Sequence, residues 1–171
     1  MRGSRRWLGV LVAAGSCILG TACVDVPTPP ESQLPFEAQI DGQEFVAAGT
    51  DFSTYNGGAG LLITGIRPTG AGTYRQVSVQ MLKGWHGPGT YTLSALDTVG
   101  AFGFVSDHTD DFSEVGKWVT TAANPGQMVV TGFYPATQTI KGTFRFVARS
   151  DSGQSLSVTE GHFSGSYFID P

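Results

Sequence analysis

The chain has little cysteine, and this shortage excludes disulfide-built folds. Its two cysteines, Cys17 and Cys23, both lie near the N-terminus. From residue 24 onward there is therefore no disulfide and no thiolate metal site. A domain without such cross-links depends on its hydrophobic core, which a chain of this length can build.

Positive charge is also scarce, and its distribution bears on the partners of the protein. The chain holds ten Lys and Arg residues against fourteen Asp and Glu, a formal charge of −4. Removal of residues 1–22 would take away three basic residues and no acidic ones, leaving −7. Nucleic acid is thus a poor partner, because phosphate binding draws on Lys and Arg. Any contact with a membrane has to come from lipid and not from a basic surface.

A helical repeat of apolar residues is missing, and alternation with a period of two takes its place. Between Ile140 and Arg149, apolar and polar residues alternate, which predicts a strand with one buried face. Asp41-Gly42 separates two such runs and predicts a hairpin. The sequence therefore predicts an all-β fold: a single antiparallel β-sandwich or barrel-like domain of about ten short strands over residues 34–171. Asp107–Gly116 is too polar for a buried strand and is predicted to be a loop or a short helical turn.

The N-terminal segment has the three parts of an export signal in the required order. Arg2, Arg5 and Arg6 precede an apolar stretch that ends at Leu19, and small residues then lead to Cys23. We expect a signal peptide over 1–22 and a lipid on Cys23, although the leucine lies one place earlier than in the usual lipobox. Three alternatives stay open, namely ordinary cleavage near Ala22, a lipid on Cys17, and twin-arginine export through Ser4–Leu8.

Residues 23–33 contain Pro27, Pro29 and Pro30 and are predicted to form an extended tether. A lipid on Cys23 followed by such a spacer predicts an exported protein held at the cell envelope. The sequence does not decide between the inner and the outer membrane.

Several of these segments resemble the DUF6252-type lipoproteins. Phe36–Phe45 reads FEAQIDGQEF, Gly89–Leu93 reads GTYTL, Ile140–Phe146 reads IKGTFRF and Val158–Phe163 reads VTEGHF. Their order, from Phe36 to about Phe168, is similar to that of the family. Because the function of the family is unassigned, the resemblance implies a fold and an address, and it supplies no catalytic residue.

One polar cluster is a candidate metal site. Calcium prefers carboxylate oxygens that a flexible loop supplies. Four carboxylates lie close together in the sequence around His108, namely Asp107, Asp110, Asp111 and Glu114. The alternative is an acidic loop that is only solvated. No other cofactor is predicted.

Two further pairs are candidates for binding or chemistry. Trp85 and His86 could meet a sugar or a protein at an exposed loop, unless Trp85 folds back onto the core. Glu160 and His162 alternate with one residue between them and could share a sheet face, where they could act as acid and base.

The sequence as a whole favours an envelope-anchored, non-catalytic binding or assembly module with a protein or glycan partner. The alternatives are a metal-dependent or acid–base hydrolase that acts on an envelope substrate, and a calcium-stabilised structural module.

Overall fold

A computed structural model describes residues 34–95 and 100–170. The predicted signal peptide, Cys23 and the tether lie outside the described residues. The described part is all-β and contains no helix, which confirms the predicted fold class. It forms twelve strands: β1 (Phe36–Ile40), β2 (Gln43–Val46), β3 (Gly49–Tyr55), β4 (Gly60–Gly70), β5 (Thr73–Met81), β6 (Gly89–Leu93), β7 (Ala101–Thr109), β8 (Glu114–Thr120), β9 (Gly126–Tyr134), β10 (Thr139–Arg149), β11 (Ser155–Ser166) and β12 (Phe168–Ile169).

The strands belong to one mostly antiparallel sheet that folds over into two layers. The first layer has the order β12-β3-β4-β5-β7-β8, and the second layer has the order β6-β9-β10-β11-β1-β2. The layers join where the end of β10 pairs with the end of β8, at Ala148–Thr120 and Arg149–Val119. Among the strands that the structure describes, only β12 and β3 pair in parallel. Within the described residues the sheet is not closed into a barrel, so the arrangement is sandwich-like.

The predicted hairpin at Asp41-Gly42 is confirmed. Both residues have positive φ, 49° and 76°, as a two-residue hairpin turn of type I′ requires. The turn pairs Ile40 with Gln43 and fixes the register of β1 on β2. Further along the chain, β1 also pairs with β11, with Phe36 opposite Phe163. The hairpin therefore extends the second layer by two strands.

Alternation along β10 is also confirmed, and it shows how the core is built. Ile140, Phe144 and Phe146 are buried, whereas Arg145 and Arg149 are exposed. The core between the layers consists of such inward residues from nearly every strand. The opposite face of β10 is left for polar side chains. In the middle of the first layer both faces are partly buried, since the outward residues Thr64, Ser78 and Ser106 of β4, β5 and β7 are also buried.

The two layers approach closely because phenylalanine on one layer lies against glycine on the other. Phe36 of β1 packs on Gly65 of β4, and a Cβ atom at Gly103 of β7 would lie 2.7 Å from the ring of Phe146 on β10. Phe52 of β3 packs in the same way at the edge of the sandwich, on Gly165 of β11. Side chains at these glycines would force the layers apart.

Asp107–Gly116 is not the loop or helical turn that its polarity predicts. Strand β7 continues to Thr109 and β8 begins at Glu114, so only four residues form the turn. Asp107 stays in the strand because Arg75 on the adjacent β5 is directly opposite and neutralises its charge. Among the described residues, no helix is long and apolar enough to span a membrane.

The glycine–phenylalanine contact gives a first prediction. Gly103→Ala should lower the free energy of unfolding by about 1–3 kcal/mol, because the added methyl overlaps a buried ring. Urea unfolding followed by circular dichroism measures this. Gly49→Ala is the matched control, since a Cβ there meets nothing within 4 Å, and it should change stability by less than about 0.5 kcal/mol.

Adding Phe146→Leu to Gly103→Ala should recover part of the loss, because the smaller side chain makes room for the methyl. If Gly103→Ala and Gly49→Ala had equal free energies of unfolding, the contact of Phe146 with Gly103 would not set the spacing of the layers.

Candidate functional site

The outer face of the second layer carries a polar groove, which we call the outer groove. It follows from the pleat: because Phe144 and Phe146 point inward, Thr143 and Arg145 point outward. Outward side chains from all six strands of the layer line it, namely Thr92, Gln127, Thr143, Arg145, Ser157, Thr159, Glu160, His162, Glu37, Gln39 and Glu44.

Three adjoining depressions make up the outer groove. The first, of about 390 Å³, contains Arg145 as its single charged residue. The second, of about 310 Å³, shares Arg145 and Gln127 with the first. The third, of about 230 Å³, shares Glu160 and His162 with the second. These shared residues link the three depressions into a row across the face, from β6 to β2.

A β-bulge at Glu160 shapes the middle of the groove. Phe144 pairs with Gly161 and Phe146 with Val158, so two residues of β11, Thr159 and Glu160, are opposite one residue of β10. Glu160 takes a positive φ of 50°, which is uncommon for a residue other than glycine. The bulge aims the Glu160 carboxylate towards β1, where Oε2 accepts a hydrogen bond of 2.6 Å from the Gln39 amide.

The structure brings Glu160 and His162 to the same groove, as the sequence predicts for residues on one sheet face. Glu160 is exposed and His162 is half-buried. Around them the groove offers amide, carboxylate, hydroxyl and guanidinium groups, with Val129 and Val147 as its outward aliphatic side chains. The arrangement suits hydrogen bonding to a polar ligand in both directions, donating and accepting.

Asp107, the first predicted calcium ligand, is already engaged with Arg75. The Arg75 Nε and Nη2 atoms donate to the two carboxylate oxygens at 2.6 and 2.7 Å. The guanidinium also lies 6.0 Å from the centre of the Trp118 ring. Hydrogen bonding to Asp107 raises the pKa of Arg75, so the guanidinium keeps its charge across the physiological range.

The other predicted calcium ligands make separate local contacts. Asp111 accepts hydrogen bonds from Thr109 Oγ1 and from the backbone N–H of Ser113, and these bonds lower the pKa of Asp111. Glu114 forms an exposed ion pair with Lys117 at 3.3 Å, and the Asp110 N–H donates to the Gly72 carbonyl. Within residues 34–95 and 100–170, no three His, Cys, Asp or Glu residues are grouped so as to hold a metal ion. The calcium site stays a prediction, because the described residues contain no preformed cluster of ligands for the ion.

Trp85 and His86 lie apart from the outer groove. Trp85 is only 8% exposed and packs on Tyr91 and edge-on against Phe133, which favours the capping alternative over a sugar-stacking one. His86 is exposed, and its Nδ1 atom lies 3.3 Å from the Tyr91 hydroxyl. A ligand role for His86 stays a prediction.

Sequence reasoning missed Arg145, Gln39 and Gln127 as site residues. Each lies on a strand whose polar face the alternation does reveal. Their convergence depends on the pairing of β9, β10, β11 and β1, which brings together residues more than a hundred positions apart, such as Gln39 and Glu160. Alternation within one strand carries no information about which strand lies beside it.

The fold and the groove define a class: an all-β, sandwich-like domain with a polar groove on the outer face of one layer. The chain belongs to the DUF6252 family, described as a domain of unknown function, which matches residues 33–165. This confirms the family resemblance found in the sequence. No curated protein and no solved structure matches the chain.

The Arg75–Asp107 pair gives a second prediction. Asp107→Asn should destabilise the protein by about 1–3 kcal/mol, because it leaves a partly buried guanidinium without its charged acceptor. Urea unfolding measures the change. Glu114→Gln is the matched control: it breaks an exposed pair and should cost about 0.5 kcal/mol or less. A cost for Asp107→Asn no larger than that of the control would contradict the structural role of the pair.

Proposed function

We propose that this protein is a lipid-anchored, non-catalytic binding protein of the bacterial envelope, which holds an extended polar ligand, such as a glycan, in the outer groove. The observation that supports the binding role is the row of three adjoining depressions across six strands, which share polar lining residues. Two of its depressions, of about 390 and 310 Å³, have the size of small-ligand sites, and the third, of about 230 Å³, is slightly smaller.

The chemistry of the groove favours a ligand rich in hydroxyl groups. Arg145 and Gln127 supply N–H donors, Glu37 and Glu160 supply carboxylate acceptors, and the hydroxyl of Thr159 can do both. A saccharide presents hydroxyls that donate and accept on every ring, so it can satisfy such a lining over several units. Val129 and Val147 supply limited apolar contact.

The exposure of Glu160 supports binding over catalysis. A carboxyl that acts as a general acid near neutral pH usually sits in an apolar site that excludes water. Glu160 instead lies at an exposed bulge and is held by the Gln39 amide, which orients the carboxylate as an acceptor. The same geometry serves a ligand hydroxyl that donates to it.

The anchor follows from residues 1–23, where a basic segment, an apolar stretch and small residues precede Cys23. Strand β1 begins at Phe36, so the proline-rich residues 23–33 lie between the cysteine and the first strand. This is the order of parts in a tethered envelope domain.

A third prediction tests the groove. On an array of bacterial envelope polysaccharides, the full chain should bind at least one glycan, and Arg145→Ala should weaken that binding about tenfold or more, as the loss of a charged hydrogen-bond donor implies. Arg149→Ala is the matched control, because Arg149 is exposed on the same strand but does not line the groove. Binding that survives Arg145→Ala and Gln39→Ala unchanged would place the ligand elsewhere.

A fourth prediction tests the anchor. In a bacterial host, Cys23→Ser should abolish acylation and move the protein from the membrane fraction to the soluble fraction. The mass of the N-terminal peptide reports the lipid directly. Cys17→Ser is the control and should leave acylation intact. A lipid that persists on the Cys23→Ser protein, or is lost with Cys17→Ser alone, would contradict attachment at Cys23.

A further inference from the structure

A second cavity, which we call the inter-layer cleft, opens between the two layers near the turn of the β1–β2 hairpin. Its volume is about 450 Å³, within the range of small-ligand sites. Side chains from both layers line it, and it reaches the end of the core. The outer groove, in contrast, is lined by the outer face of the second layer alone.

One wall of the cleft is apolar. Ile40 and Phe45 belong to the buried core, at 6% and 3% exposure, and Leu156 packs against that core. All three line the cleft from the second layer. This wall would contact the hydrocarbon part of a ligand and remove it from water.

The other wall carries two arginines where the core pattern would continue with apolar residues. On β4 the inward series runs through Ile63 and Gly65 to Arg67, and on β5 it runs through Val79 and Val77 to Arg75. Arg67 is opposite Arg75 in the strand pairing. Arg75 is partly buried there, which calls for a charged partner, whereas Arg67 lies at the mouth of the cleft and is exposed to solvent.

Arg75 has its partner, whereas Arg67 keeps donors unused. The fork of Arg75 is closed by Asp107. Arg67 donates through Nη1 to the backbone carbonyl of Glu44 at 2.6 Å, and it makes no ion pair with any residue in the described ranges. The Asp41 carboxylate, which also lines the cleft, accepts the Ser157 N–H at 2.8 Å. Arg67 is therefore held at the cleft with Nε and Nη2 open to an oxyanion.

We propose that the inter-layer cleft binds a small amphiphilic oxyanion, with its carboxylate or phosphate on Arg67 and its hydrocarbon body against Ile40, Phe45 and Leu156. The guanidinium fork matches the two oxygens of such a head group. The apolar wall selects ligands that carry a hydrocarbon body over inorganic anions. Apart from Glu44, which borders both, this site shares no lining residue with the outer groove, and it does not depend on the glycan-binding role.

Isothermal titration of the full chain with octanoate, octyl phosphate and octanol tests the proposal. At least one of the two acids should bind, and octanol should bind about tenfold more weakly or not at all, because it lacks the charge that Arg67 recognises. Whichever acid binds more tightly identifies the head group. Octanol binding as tight as that of both acids, or no binding by either acid, would overturn the proposal.

Variants place the ligand. Arg67→Met keeps the length of the side chain and should weaken binding of the acid about tenfold or more. Arg67→Lys keeps the charge without the fork, so its affinity for the acid should lie between those of the parent and Arg67→Met. Arg149→Met is the matched control and should bind like the parent. Circular dichroism verifies that each variant is folded. Unchanged affinity in a folded Arg67→Met protein would overturn the site, and so would equal losses in both methionine variants.

Discussion

The contact of phenylalanine rings with glycines across the two layers is the constraint on which the rest of this structure depends. Phe36 on Gly65 and Phe146 on Gly103 set how closely the layers approach, and both rings are almost fully buried. With this spacing fixed, the alternation along each strand decides which side chains enter the core and which line the outer groove. The inter-layer cleft opens where the inward series reaches Arg67 and Arg75, since long charged side chains replace the small and apolar ones.

The β1–β2 hairpin contributes to both sites because successive residues of a strand point to opposite faces. Gln39 and Glu44 are opposite each other and line the outer groove, whereas the neighbouring Ile40 and Phe45 line the cleft, which Glu44 also borders. A hydrophilic ligand on one face and an amphiphilic anion on the other would thus meet the same short hairpin. Movement of this hairpin would change the shape of both the outer groove and the inter-layer cleft.

Part of the fold could be predicted from local sequence. Asp41-Gly42 specifies its turn through positive φ angles, and the alternation of β10 specifies its buried face. The loop predicted at Asp107 is wrong because the charge of Asp107 is neutralised by Arg75, 32 positions earlier, and nothing local reveals that partner. The outer groove could not be predicted either. The sequence places Glu160 and His162 on one face, but the bulge that turns Glu160 towards Gln39 follows from the pairing of three strands.

The pairing of β1 with β11 has a consequence for how the chain folds. Gln39 and Glu160 are 121 positions apart, so the first strand of the domain meets its partner only when nearly all of the chain is available. Sheets built from such distant pairs fold slowly, because a long loop has to be closed before its contacts form. Until β11 has been synthesised, β1 lacks this partner and the second layer is incomplete. An incompletely folded chain is one that can be threaded through a narrow translocation pore. Slow closure is compatible with the export that we propose, in which the domain would fold after the chain has crossed the membrane.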